Sequence, residues 1–425
     1  MTAVVRSAVA LFATLVTGVL AGFTLSDSQI YTGYEKHGVA DHNTGVALGA
    51  VAAVVACVVL SRFVDRRVAW VVAALAVGSV WAITAGWPEN GGLDYEGSPY
   101  LFRIACGGVL LGAAATAVWG RPQGQVALAL GIVSTYLVVA VSDGSGSDVR
   151  LFANAPLWML LAALLGAAAA AVTTPGHYLP QRPSSTIAIT TIVGVASLVL
   201  VNRFGAGWLT ASDVASSFRW WKHVWVVITA VVVATVLLSR WLPAIEGRFL
   251  LTVTGIAAAA APVLADLRMP VRGGTAIWVV LIGIVAIGVG LRVSVVRKHP
   301  YAGLLAAALI PIIDAVSPSF GHHGAFLALR VGVIGVAAGY AIGSTFPAEA
   351  VVAALGFGVL FASTVFGAAT RSTLGKDFGW TPYSGLRRLS DAHPAFDARM
   401  AAAGLAAAAL LCAVFAGRTR HDAQA

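Results

Sequence analysis

The sequence predicts an all-α polytopic membrane protein of about fourteen transmembrane helices, arranged as two pseudo-symmetric six-helix halves plus a C-terminal helix pair. Three observations carry the membrane assignment. Of 425 residues, 59% are hydrophobic and only 11% are charged, whereas a soluble globular chain carries about 25% charged residues. The apolar residues come in runs of roughly 18 to 22, the length that spans about 30 Å of hydrocarbon. These runs are rich in Ala, Val, Leu and Gly and lack the period-2 alternation of a β-barrel strand. A backbone in lipid must pair its own N–H and C=O groups, so each run is a helix.

The first span, 7–25, follows Arg6. It has no small-x-small cleavage site and is read as a retained span rather than a signal peptide. Spans two and three, 44–61 and 68–86, flank a basic turn, and spans four and five, 101–119 and 124–142, meet at GRPQG around Pro122. Span six, 153–173, runs into TTPGHYLPQRPSS, a Pro-rich polar joint. Spans seven to twelve follow at 185–202, 223–239, 249–266, 274–293, 300–317 and 323–343, and the last two at 348–367 and 400–416. The longest polar segment, 367–399, separates these two. Its 383–399 portion places Tyr383, Leu386, Leu389 and Phe396 among charges, as a surface-lying amphipathic helix does. Cys57, Cys106 and Cys412 all fall inside spans, so no disulfide framework or zinc-finger spacing is expected.

Charge sets the orientation. Arg6, Arg62, Arg66, Arg67, Arg121, Arg182, Arg240, Arg248, Arg292, Arg297, Lys298, Arg418 and Arg420 all map to one face, against Asp65, Glu246, Glu349 and Asp422. The net +9 of the chain resides there. By the positive-inside rule this face is cytoplasmic, with both termini inside and the protein in a plasma (inner) membrane. The basic balance is therefore a topology signal. A nucleic-acid partner would need a basic patch on a soluble face, and none is expected.

Residues 54–63 (VVACVVLSRF) and 232–241 (VVATVLLSRW) are identical at seven of ten positions, at an offset of 178. The same offset maps Pro122 onto Pro300 and Ser7 onto Ser185. This predicts a first six-helix half over 1–173, a cytoplasmic linker over 174–184, a second half over 185–343 and two additional helices over 344–425. Six spans is an even number, so the halves share one orientation and are related by an axis along the membrane normal, with a site between them near the midplane.

Six-plus-six parallel halves, with Ser61-Arg62-Phe63-Val64-Asp65-Arg66-Arg67 between spans two and three, resemble the major facilitator superfamily. The small residue, its spacing to the acid and the following Arg match that family's cytoplasmic signature. The leading Gly is Ser61, the Gly-Arg-Arg ending is absent, and Pro243 stands where Asp65 maps in the second half. The resemblance implies a secondary transporter in which Arg62, Asp65, Arg66 and the repeat-related Arg240 form a cytoplasmic latch. The other reading of RFVDRR is an ordinary positive-inside loop.

A charge at the centre of a spanning helix costs about 2.5–3.5 kcal/mol on insertion scales, so ionisable residues within spans are candidate functional groups. Asp314 near the end of span eleven and Arg330 two turns into span twelve are placed to pair across the loop SPSFGHHG. They are candidates for ion coupling, or a structural pair fixing one hairpin. Arg103 in span four is a third candidate, with snorkelling to the interface as its alternative. His37, Asp41 and His42, with His322 and His323, are the donor types that zinc takes. Tandem loop histidines are usually solvated, however, so no metal site is assigned. No GxxxxGK[ST] occurs, so ATP is not the direct energy source and no cofactor is expected.

The partners expected are the bilayer, a small-molecule or lipid-like substrate and, through the long outer loops, a membrane-protein partner. The charge-poor interior points to an apolar or amphipathic substrate. Two alternatives to transport stand: a polytopic envelope enzyme, such as a lipid-linked glycosyl- or acyltransferase using Asp27, Glu35, Asp41 or His42, and a membrane subunit of a larger complex.

Overall fold

The computed structural model describes residues 3–26, 38–63, 65–86, 97–144, 155–174, 182–215, 220–267, 273–317, 324–374 and 394–418. Nearly all of these are helical, and no strand occurs among them. In chain order the helices are α1 (Ala3–Ser26), α2 (Gly38–Phe63), α3 (Arg66–Gly86), α4 (Gly97–Val118), α5 (Pro122–Gly144), α6 (Leu157–Thr173), α7 (Ser185–Ala215) and α8 (Trp220–Trp241). They continue as α9 (Ala244–Leu267), α10 (Gly273–Val296), α11 (Pro300–Val316), α12 (Gly324–Ser344), α13 (Ala350–Ala362), α14 (Thr364–Leu374) and α15 (Pro394–Arg418). The helices α13 and α14 are two parts of one apolar span, Ala350–Thr370, broken at Ser363, whose hydroxyl donates back to the Val359 carbonyl at 2.7 Å. Each of the fourteen expected spans therefore has its helix; among the described residues twelve are long and apolar enough to cross a membrane, and α6 and α11, of 17 residues each, are shorter.

Packing distinguishes the halves. In the first, α1 packs on α4, α5 and α6, α2 packs on α4, and α3 packs on α4 and α6. The same neighbour pattern recurs with α9 on α12, α13–α14 and α15, α10 on α12, and α11 on α12 and α15. The two similar six-helix bundles are thus α1–α6 and α9–α15. The extra pair is α7–α8, which packs on α2, α9, α13, α14 and α15. The expected boundaries, 185–343 for the second half and a C-terminal pair over 344–425, differ from this packing, in which the extra pair lies between the bundles in the chain. The 178-residue match rests mostly on Val, Ala and Leu, which recur by composition in any apolar span. Packing depends instead on small residues.

Those small residues form two equivalent seams. Gly108 and Gly112 of α4 lie against Gly49 and Ala53 of α2, so closely that a Cβ at either glycine would collide with a backbone carbonyl. Gly335 and Gly339 of α12 lie against Gly283 and Ile287 of α10, and a Cβ at Gly339 would meet the Ile287 carbonyl. Spacing of four residues puts each pair on one helix face. Lipid provides no hydrophobic drive for helices to associate, so backbone approach at small residues supplies the contact. Other large apolar side chains turn outward: Leu165, Trp278 and Leu329 are each more than 60% exposed, facing lipid rather than water.

Between the bundles, α2 packs on α13 and α5 on α10. Tyr136 of α5 meets Phe361 of α13 edge-on, with ring centroids 5.5 Å apart.

Gly339→Leu is expected to force α12 off α10 and to destabilise the protein by about 1–3 kcal/mol, as overpacking does. This is read as a lower unfolding temperature in detergent. Gly78→Leu, at a position with open space around its Cα, is expected to leave that temperature close to wild type.

Candidate functional site

Two groups of polar residues stand out, at opposite ends of the second bundle. The first sits at the end away from the basic face. Arg330, in the second turn of α12, donates through Nη2 to both carboxylate oxygens of Asp314 on α11, at 2.8 and 2.6 Å. Through Nη1 it donates to Oδ2 of Asp266, at the end of α9, at 2.8 Å. All three side chains are buried. The expected pairing of Asp314 with Arg330 is present, and it is one arm of a three-residue cluster. Asp266 escaped notice because it falls at the edge of its apolar run. The signal was there: an acid between Ala265 and Leu267 is still inside that run. With all three groups ionised, the cluster carries one negative charge in excess, and one proton would neutralise it.

The second group lies on the basic face. Arg66, opening α3, donates through Nη2 to the Trp119 carbonyl at 2.8 Å, just past the end of α4. The Trp119 indole N–H donates to the Pro347 carbonyl at 2.9 Å, and its ring meets Phe346 edge-on at 6.1 Å. Trp119 lies in the α4–α5 turn, and Phe346 and Pro347 lie in the equivalent α12–α13 turn of the other bundle. The contact therefore clasps the two bundles together. Gly120 makes the turn possible, because its φ of 84° is a left-handed conformation that favours glycine.

Glu349 ends the same turn at the N-cap of α13, with Oε2 buried and without a hydrogen-bond partner. Burial, and secondarily the nearby Glu246 carboxylate in the first turn of α9, push the Glu349 carboxyl above its ordinary value.

The other expected site residues are not gathered here. Asp65 is half-buried and starts α3, its carbonyl accepting from the Ala69 N–H at 3.1 Å. Arg62 is half-buried in the last turn of α2. Arg240 is exposed at the end of α8, which shares no substantial interface with α2, α3 or α4, so it stands apart from the clasp. Arg103 is half-buried on α4, a helix without a substantial interface to α9, α11 or α12, and so it does not join the Arg330 cluster. Asp41 and His42 fall in the opening turns of α2, with side chains outside the described set. Asp27, Glu35, His37, His322, His323 and most of 367–399 lie outside the described residues.

No family profile and no curated relative matches the sequence. Solved structures do match, over nearly the whole chain. A POT-family transporter in complex with 5-aminolevulinic acid superposes with a TM-score of 0.54 at 14% identity, covering 96% of each chain. The peptide transporter POT, as a point mutant, gives 0.52 at 16% identity, covering 96% of this chain and 94% of the other. The proton:xylose symporter XylE, a major facilitator superfamily protein, gives 0.51 at 13% identity, covering 97% and 94%. The fold is that of the major facilitator superfamily, as the resemblance at the 61–67 turn led us to expect.

A raised folded-state value means that Glu349 keeps its proton over a pH interval in which the unfolded chain has already lost it. The folded state then binds more protons than the unfolded one, so this group makes stability fall as pH rises above its ordinary value of 4.5. Glu349→Gln is expected to flatten the decline. Unfolding temperatures measured from about pH 5 to about pH 8 check this. The gain over wild type should grow with pH, and parallel profiles would refute the assignment.

Proposed function

We propose that the protein is a secondary transporter driven by an ion gradient. It works by alternating access between the α1–α6 and α9–α15 bundles, with the basic face in the cytoplasm of a plasma membrane. The observation that carries this reading is the buried Asp266–Arg330–Asp314 cluster in a chain with a transporter fold. A buried ion pair stabilises little against its desolvation cost, and in membrane helices such charges mark ion pathways. One arginine shared by two carboxylates leaves room for one proton. Protonation of Asp314 would remove its charge from Arg330 and leave Asp266 as the remaining anion, loosening α11 from α12. The cluster is thereby suited to couple proton binding to helix movement.

The substrate we propose is apolar or amphipathic. Among the described residues the buried charged side chains are Glu246, Asp266, Asp314 and Arg330. None lies at the middle of its helix, and the seam between bundles is lined by groups such as Tyr136 and Phe361. The clasp of Arg66, Trp119 and Pro347 would close the cytoplasmic end and must part during the cycle.

The test uses proteoliposomes with an imposed pH gradient and three probes: an amphipathic cation such as rhodamine 6G, a dipeptide and a hexose. The expected result is gradient-dependent accumulation of the amphipathic probe alone. Asp314→Asn is expected to reduce gradient-driven accumulation about tenfold or more, within the usual range of coupling energies, while exchange of preloaded probe persists. Accumulation of the dipeptide or the hexose would overturn the substrate class. Undiminished gradient-driven uptake by Asp314→Asn would overturn the role of the cluster.

A further inference from the structure

A groove of about 630 Å³ runs between α10, α11 and α12 on the outer surface of the second bundle. Its lining is apolar: Ile282 of α10, Gly303 and Ala306 of α11, and Leu329, Gly332 and Val336 of α12. It extends along α12 from Ala328 to Tyr340, about 18 Å at 1.5 Å per residue, a little more than half of the roughly 30 Å hydrocarbon thickness. That length suits the acyl chain of one leaflet. Protein does not fill the space above Gly332, where an added Cβ would meet only Ile282, at 3.7 Å.

The end of the groove at the basic face is strongly cationic. Arg292, Arg297, Lys298 and His299 are all exposed at the end of α10 and in the turn to α11. The His299 backbone N–H donates to the Tyr340 hydroxyl at 3.3 Å, which fixes this turn at the mouth of the groove. Residues 292–301 contain no acid to neutralise the turn. An apolar channel of acyl-chain length that ends in unneutralised cations at the headgroup level is complementary to one kind of molecule.

We propose that this groove binds an anionic phospholipid, with an acyl chain laid over Gly332 and its phosphate held by Arg297 and Lys298. Basic sites at the ends of transmembrane helices recognise anionic headgroups in this way. The site is separate from the Arg330 cluster and does not depend on the transport reading.

The experiment measures lipid binding to the purified full-length protein by native mass spectrometry, with unfolding temperature as a second readout. Phosphatidylglycerol and phosphatidylcholine of matched chains are compared. Wild type is expected to bind phosphatidylglycerol in preference and to be stabilised by it. The double variant Arg297→Gln/Lys298→Gln changes only exposed side chains and leaves the packing alone. It is expected to lose that preference, with affinity falling about tenfold. Gly332→Leu fills the channel and is expected to weaken binding of both lipids. Arg418→Gln, an exposed cation on the same face at the end of α15, is the control and should keep wild-type preference. Three outcomes would each overturn the proposal: equal binding of the two lipids by wild type, undiminished binding of both lipids by Gly332→Leu, or a loss of preference in Arg418→Gln as large as in the double variant.

Discussion

Helices surrounded by lipid gain nothing from hiding apolar surface, because acyl chains are as apolar as leucine side chains. The rest of this structure depends on the answer to that constraint, which is close backbone approach at small residues. Gly108 and Gly112 let α4 rest on α2, and Gly335 and Gly339 let α12 rest on α10. In each bundle this is the most extensive helix pairing, and the remaining helices assemble around it. Away from these seams large residues serve both places: Trp70, Phe249 and Phe357 are fully buried, and Leu165, Trp278 and Leu329 face acyl chains at the perimeter.

The low dielectric that makes the seams necessary also restricts where charge can sit. Arg330, Asp266 and Asp314 are buried only because they satisfy one another, with a bidentate contact on one side and a single contact on the other. Removing the arginine would leave two uncompensated carboxylates, a far larger penalty than the net worth of the intact cluster. Glu349 illustrates the opposite arrangement. Burial without an opposite charge, and after it the neighbouring acid Glu246, make it hold its proton more tightly. The two ends of the second bundle thus carry acidic groups in different states of compensation, one matched to an arginine and one not.

Much of this was legible in the chain. The long apolar helices follow from run length alone, since only a helix of that length can satisfy its backbone across hydrocarbon. The Asp314–Arg330 pair followed from two charges facing each other across one short turn. The helix packing does not follow the 178-residue offset, because VVACVVLSRF and VVATVLLSRW share Val, Ala and Leu, residues that recur in any apolar span. The informative signal was the four-residue glycine spacing at 108 and 112 and again at 335 and 339, which marks helix contact rather than hydropathy. Trp119 could not be read as a clasp residue, because its partner Pro347 is 228 positions away and belongs to the other bundle. Asp266 was hidden by its position at a helix end, where an acid is ordinarily hydrated.

The helix that joins these features is α12. Arg330 lies near one end of it, and Phe346 and Pro347 follow directly from the other. Its middle is fixed to α10 by Gly335 and Gly339, and its outward face lines the groove over Gly332. A helix of 21 residues is about 30 Å long and moves largely as a rigid rod. Under the transport reading, a change in how tightly Asp314 and Asp266 hold Arg330 therefore need not pass through a chain of side chains to reach the clasp. It is enough that α12 tilts against its glycine seam, where backbones slide without interlocking side chains. The Trp119–Pro347 hydrogen bond at the far end would then lengthen or break. The cluster lies wholly within one bundle and the clasp bridges both, so binding at the first can be converted into separation at the second. That division of roles is what alternating access requires of two bundles hinged about a common seam.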